Sequence, residues 1–206
     1  MAGKYENTRS KKKIWPWIVG TCALVAVIVL LLTQYDGSNS VPVLVVETPQ
    51  KLSATQSSDI TLDVTVSSLG NTRYPAMSMS ISFDSSRLEF LGVEEGNIFI
   101  LSDENSTGQQ LPDWSYNVQN SNDTGRINIM YLDMTGGKNA FNKELLAEDY
   151  NVVLRLKFRL RGSVRVGDVL DLIVDDAVFA ASDETQSLAM ATDTLKVKNG
   201  KIVVGE

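Results

Sequence analysis

The chain has 206 residues, 43% of them hydrophobic, and carries 19 Lys/Arg against 25 Asp/Glu. That length suits one domain with a sizeable core and crowds two. A net charge of −6 argues against a nucleic-acid partner, and the complete absence of His removes Ser-His and Cys-His dyads and the usual zinc sites, leaving only carboxylates, Lys or Tyr for catalysis.

The charge is split along the chain. Residues 1–13 hold five Lys/Arg and one Glu, a net of +4, whereas everything after Thr33 holds fourteen Lys/Arg against twenty-four Asp/Glu, a net of −10. Between these parts, residues 14–32 contain no charge. A helix of that length reaches about 28 Å, close to the hydrocarbon thickness of a bilayer. Lys11, Lys12 and Lys13 precede it and Asp36 follows, so the positive-inside rule predicts a cytoplasmic N-terminus and an exterior C-terminal domain. Trp15 and Trp17 suit the inner interface. The apolar run is longer than a signal-peptide core and lacks an A-x-A-like exit, so an uncleaved anchor is expected. The predicted organisation is a basic head at 1–13, a transmembrane helix at 14–32, a stalk at 33–41 and one domain at 42–206. The single Cys22 falls inside the apolar run, so no disulfide framework supports the exterior domain.

Beyond the stalk the dominant signal is period-two alternation, the mark of strands with one buried face. Ile60, Leu62, Val64 and Val66 alternate with polar residues, as do Met77, Met79, Ile81 and Phe83, and then Leu154, Leu156, Phe158 and Leu160. Shorter strand candidates lie at 44–47, 88–93, 114–118, 126–132, 169–174 and 195–204, the last containing Asn199-Gly200, a signal for a tight turn or bulge. Turn-rich clusters at 69–71, 102–108, 120–125 and 161–167 separate them. Only 140–147 reads as helical. The strand at 126–132 is apolar on both faces, which predicts either a central strand covered by that helix or by a loop, or an outward patch awaiting a partner; the covered central strand is the expectation. About nine strands without a βαβ rhythm predict an all-β protein, an antiparallel β-sandwich of jelly-roll type.

The order of landmarks resembles the cohesin module, the receptor half of the cohesin and dockerin pair that assembles cellulosomes. Asp84-Ser85-Ser86-Arg87-Leu88-Glu89-Phe90 is similar to that family's aromatic-Asp-Pro-x-x-Leu-Glu-hydrophobic corner, with Ser85 in place of Pro. Val93 to Phe99, Gly125-Arg126-Ile127-Asn128-Ile129, the alternating strand at 153–160 and Lys198-Asn199-Gly200-Lys201-Ile202-Val203-Val204 resemble segments that follow it. The resemblance spans about 43–204 and implies a non-catalytic, cofactor-free module with a flat sheet face that contacts a helical, calcium-loaded dockerin in a polysaccharide-degrading context. Carried over, that face uses Ser78, Ser80, Tyr131, Asp133, Arg155, Lys157 and Arg159, with Ala76 where the family has a polar recognition position. A serine stripe beside a basic stripe implies an acidic or hydroxyl-rich partner surface. The bland alternative for Arg155, Lys157 and Arg159 is that they keep an exposed strand solvated.

Two other function classes stay open, a carbohydrate-binding sandwich and a structural domain of the cell envelope. Trp114 and Tyr116 would share one strand face and supply the rings that sugars stack on. Asp171, Asp175, Asp176, Asp183 and Glu184 lack the D-x-[DN]-x-[DN]-G order of a calcium loop, so no metal is expected.

Overall fold

The computed structural model describes residues 41–49, 52–53, 59–98, 114–147, 149–162 and 164–205. All belong to one compact unit, Val41–Glu206. The apolar run at 14–32 lies outside the described residues. Among those described, no helix is long and apolar enough to cross a membrane.

Strand formation follows the alternation. β3 (Ile60–Val66), β4 (Ala76–Phe83) and β7 (Val152–Leu160) turn Ile60, Leu62, Val64 and Val66, then Met77, Met79, Ile81 and Phe83, then Leu154, Leu156 and Phe158 inward, each at 8% exposure or less. Each such side chain withdrawn from water contributes about 1.5–3 kcal/mol. The remaining strands are β1 (Val43–Val46), β2 (Leu52–Ser53), β5 (Leu88–Glu95), β6 (Arg126–Leu132), β8 (Val169–Ala180), β9 (Leu188–Ala189), β10 (Lys196–Lys198) and β11 (Gly200–Gly205). One sheet has the order β10-β1-β3-β7-β5 and the other β2-β11-β8-β4-β6, with β9 beside β8. The expected sandwich of two sheets is present, but the chain is mostly rather than all β, and the pairing is not purely antiparallel as expected: β1 runs parallel to β10 and β2 parallel to β11. Phe83 of β4 and Phe90 of β5 meet Phe158 of β7 at centroid distances of 5.5 and 5.6 Å, so aromatic rings join the layers.

The corner at 84–90 forms as its residues dictate. The backbone N–H of Ser86 and Leu88 donate to Asp84 Oδ1 and Asp84 O at 3.0 and 2.9 Å, and Leu88 and Phe90 return to the core fully buried. Hydrogen bonds from Ser86 hold the Asp84 carboxyl below its ordinary range.

Four expectations need correction. The cluster at 120–125, expected as a turn, and the end of the strand expected at 114–118 form a seven-residue helix, α1 (Val118–Thr124). It has no apolar period; Asn117 Oδ1 caps Asn120 N at 2.8 Å, and Gly125, at φ 68°, closes the other end. The helix expected at 140–147 is instead a backbone bridge from Phe141 to Tyr74 followed by a 3-10 turn at Lys143–Leu145. Phe141 is fully buried against Phe179 at 5.3 Å, so tertiary packing overrides helical propensity. The strand at 126–132 is not central and covered: β6 ends its sheet's main path and presents Met130 and Leu132 outward. The final strand at 195–204 is two strands in different sheets, because the chain crosses the sandwich at Asn199-Gly200. A Cβ on Gly200 would stand 2.5 Å from Val46 Cγ1, so only glycine passes there.

Candidate interaction face

The outer face of the β2-β11-β8-β4-β6 sheet is built from alternate residues of β4, whose partners are fixed by register. Ala76 lies between Ala180 and Leu132, Ser78 between Val178 and Met130, Ser80 between Asp176 and Asn128, and Ser82 between Ile173 and Arg126. Inward Met77, Met79 and Ile81 anchor this strand, so the small outward side chains form the floor of a broad surface. One end of the face is apolar and the other polar. At the apolar end Met130 and Leu132 are each 54% exposed, and Met134 in the following loop is 84% exposed.

At the polar end the floor is knitted by side-chain bonds. Ser80 Oγ donates to Asn128 Oδ1 at 2.8 Å and Ser82 Oγ to Asp175 Oδ2 at 2.6 Å, with Arg126 Nε 3.7 Å from the same carboxylate oxygen. Asp175 is the extra residue of a β-bulge, since register shifts between Ser80 and Ile81. The bulge keeps both Asp175 and Asp176 on the solvent side while Val174 and Ala177 remain buried. Beside β6, Ser115 exchanges two backbone bonds with Met130, at 2.8 and 3.0 Å. Residues 115–117 thereby wall an open depression of about 530 Å³ floored by Ser78, Ser80, Asn128 and Met130.

Ser78 and Ser80 thus stand on this face, Ser78 exposed and Ser80 half-buried. Tyr131 does not. It points inward at 3% exposure, packs on Trp114 and Phe141 at 5.5 and 5.4 Å, and donates its hydroxyl to Asn139 O at 3.0 Å. Burial, with the nearby Asp133 charge, pushes its pKa up to about 12. Period two explains the correction: with Ile127 and Ile129 inward, Tyr131 shares their side, and Met130 takes the outward place. Asp133 sits at the mouth of the loop after β6, with Oδ1 accepting from Thr135 N and Oδ2 from Gly137 N, both at 2.7 Å. Partial burial raises its pKa, but bonds from Thr135, Gly137 and Asn139 outweigh that and hold the carboxyl below its ordinary range. Its oxygens shape the loop that displays Met134.

The basic stripe is on the other sheet. Arg155, Lys157 and Arg159 belong to β7, whose neighbours are β3 and β5, so they point from the opposite outer face and never meet the serines. They are also neutralised across strands. Arg155 Nε lies 3.0 Å from Asp63 Oδ1, Lys157 Nζ 2.9 Å from Glu94 Oε1, Arg159 Nη2 2.9 Å from Asp59 Oδ1 and Arg159 Nη1 3.7 Å from Glu89 Oε2. The hydrogen bond that Lys157 donates to Glu94 raises the Lys157 pKa. Alternation alone shows which side chains point out of a strand, not which sheet holds it, and this is where the expected locally positive face fails.

Trp114 and Tyr116 form no row of exposed rings: Trp114 is 7% exposed in the core, while Tyr116 leans over Gly92 and meets Phe90 at 6.0 Å. Among the described residues, no group of acidic or thiol side chains is placed to hold a metal. Further residues line the face beyond those expected from the chain's pattern, among them Asn128, Met130, Leu132 and Val178. Outwardness at Met130 and Leu132 is visible in the doubly apolar strand, but the adjacency of Asn128 and Val178 to the serines requires the register.

The cohesin domain profile matches residues 45–204. No curated protein sequence matches the chain. Among solved structures, the fold is similar to Coh-OlpC of Clostridium thermocellum in a type I cohesin–dockerin complex, at TM-score 0.56 and 15% identity over 80% of this chain and 94% of that one. The third ScaC cohesin of Acetivibrio cellulolyticus, in complex with the ScaB dockerin, superposes at TM-score 0.54 and 13% identity over 80% and 99%. A non-cellulosomal cohesin from the archaeon Archaeoglobus fulgidus superposes at 0.51 and 14% over 80% and 91%. A profile match across most of the chain, on a two-sheet sandwich with the expected Asp84 corner, shows that this protein belongs to the cohesin domain family.

Proposed function

We propose that the protein is a receptor module that docks a dockerin-bearing protein on the outer face of the β2-β11-β8-β4-β6 sheet, and performs no chemistry of its own. The observation that carries this reading is the outward row Val178–Ser78–Met130. A serine flanked by apolar side chains lets a partner backbone approach closely, while the exposed methionine and Leu132 supply apolar area to bury. Structurally similar cohesins are bound to dockerins in type I complexes, which supports the choice of partner. The Archaeoglobus module is named non-cellulosomal, so the proposal concerns docking and not a particular cargo.

The charge pattern of residues 1–33 supports a tethered setting: a single-pass anchor at 14–32, a cytoplasmic N-terminus and the module outside the cell. Protease accessibility of the domain on intact cells, with retention in the membrane fraction at high salt, is the expected behaviour.

The docking test is affinity for dockerin modules from Clostridium thermocellum and Acetivibrio cellulolyticus. Ser78→Arg and Met130→Asp are each expected to weaken binding about thirtyfold or more. Wild-type affinity in both variants would falsify this placement of the interface.

A further inference from the structure

The domain carries its sulfur in methionine alone, because the chain's single cysteine is Cys22. Of its five methionines, Met190 is partly buried against the core and the other four lie at the extremes. Met77 and Met79 point inward from β4 at 1% and 2% exposure, whereas Met130, opposite Ser78 on β6, and Met134, at the crest of the next loop, are 54% and 84% exposed. The loop presenting Met134 is held in place: Asp133 binds the Thr135 and Gly137 amides, and Arg73 Nη1 donates to Gly137 O at 3.0 Å. Met130 is equally fixed, by backbone exchange with Ser115.

We infer that Met130 and Met134 form a sulfoxidation site for peroxides, through which oxidation lowers the affinity of the docking face; the inference rests on the docking role proposed for that face. The sulfur lone pair attacks the distal peroxide oxygen, the O–O bond breaks, an S–O bond forms, and the displaced hydroxide takes the hydroxyl proton to leave as water. The thioether loses two electrons and the peroxide gains them. The product is polar where the face was apolar, and a partner that buried the thioether must now desolvate a strong hydrogen-bond acceptor. Met77 and Met79, on the inward side of the same sheet, are internal controls because the strands shield them.

The experiment treats the full chain in detergent with hydrogen peroxide and follows each methionine by peptide mass spectrometry, with and without a saturating dockerin from the panel above. Oxygen is expected at Met130 and Met134 at least about tenfold faster than at Met77 and Met79. Bound dockerin slows the reaction at Met130, and conversion at both sites lowers dockerin affinity about tenfold. The Met130→Leu/Met134→Leu variant has no oxidisable sulfur on the face, so, whatever its starting affinity, the same treatment leaves that affinity unchanged. Equal oxidation of Met77, Met79, Met130 and Met134 overturns the site, and unchanged affinity with both sulfoxides formed overturns its coupling to docking. If the untreated chain binds no dockerin, the docking proposal fails, and the oxidation rates still decide whether the site exists.

Discussion

The side-chain amide of Asn122 in α1 holds Phe90 of β5 by both backbone groups: Oδ1 accepts from Phe90 N and Nδ2 donates to Phe90 O, each at 2.8 Å. It thereby does for one residue what another strand would do at the edge of the β10-β1-β3-β7-β5 sheet. The same helix packs against β6, so a short polar element covers edges of both layers.

Replacing Asn122 by Ala leaves two strand-edge groups without their partner and is expected to lower stability by about 1–3 kcal/mol. Urea denaturation measures this. Asn122→Asp, which keeps the acceptor and loses the donor, should fall between the two. A loss below about 0.5 kcal/mol for Ala would mean that water substitutes for the amide.

That helix also marks the limit of reading the chain without coordinates. The alternating strands β3, β4 and β7 are legible because a half-buried sheet imposes period two on side-chain polarity. Asn117 to Gly125 has no such period, since its caps and the Asn122–Phe90 bonds are all polar, and polar clusters look alike whether they form turns or capped helices. The candidate site is half legible for a related reason. Alternation places Ser78 and Ser80 outward, as the structure has them, whereas Tyr131 differs from its expected side by one position of the pleat. Arg155 stands apart from the serines because strand order, a long-range property, sends β7 to the other layer.

The β7 cations should matter for stability and not for docking. Arg155→Glu or Lys157→Glu breaks an exposed cross-strand pair and creates like-charge contacts with Asp63 or Glu94, so a small loss of stability is expected. Dockerin affinity and its salt dependence should stay at wild-type values. A large affinity loss in a folded variant would move the interface to this layer.

Asp133 links stability to acid. Its folded pKa lies below its unfolded value of 3.8, so its contribution is complete above that value and is lost as pH falls through the folded pKa. Thermal melts between neutral pH and about pH 5 should show no effect from this group, with a decline setting in below about pH 4. Asp133→Asn should flatten that acid limb and, at neutral pH, loosen the loop around Met134. An identical acid limb in the variant would reject the assignment.

Tyr131 gives the opposite sign. Its pKa is raised from 10.0 to about 12, so the unfolded chain ionises first, and the stabilisation present below pH 10 disappears between 10 and about 12. Tyr131→Phe removes this alkaline component, and at neutral pH it costs about 1 kcal/mol through the lost bond to Asn139 O. Ultraviolet difference titration of wild type and variant isolates the group.

Gly200 has no room for a side chain. Gly200→Ala forces its Cβ against Val46 at the point where the chain passes between layers, and about 1–3 kcal/mol of destabilisation is expected. A neutral result would show that Val46 has space to yield.

β1 is gripped from both sides, antiparallel by β3 and parallel by β10. A pull on Pro42 along the strand therefore cannot peel it away one bond at a time. Extraction requires Val43 to Val46 to slide lengthwise, loading the ladders on both flanks together. A pull on the amino-terminal end of the domain along this direction would therefore meet the resistance of both neighbouring ladders in this short inner strand.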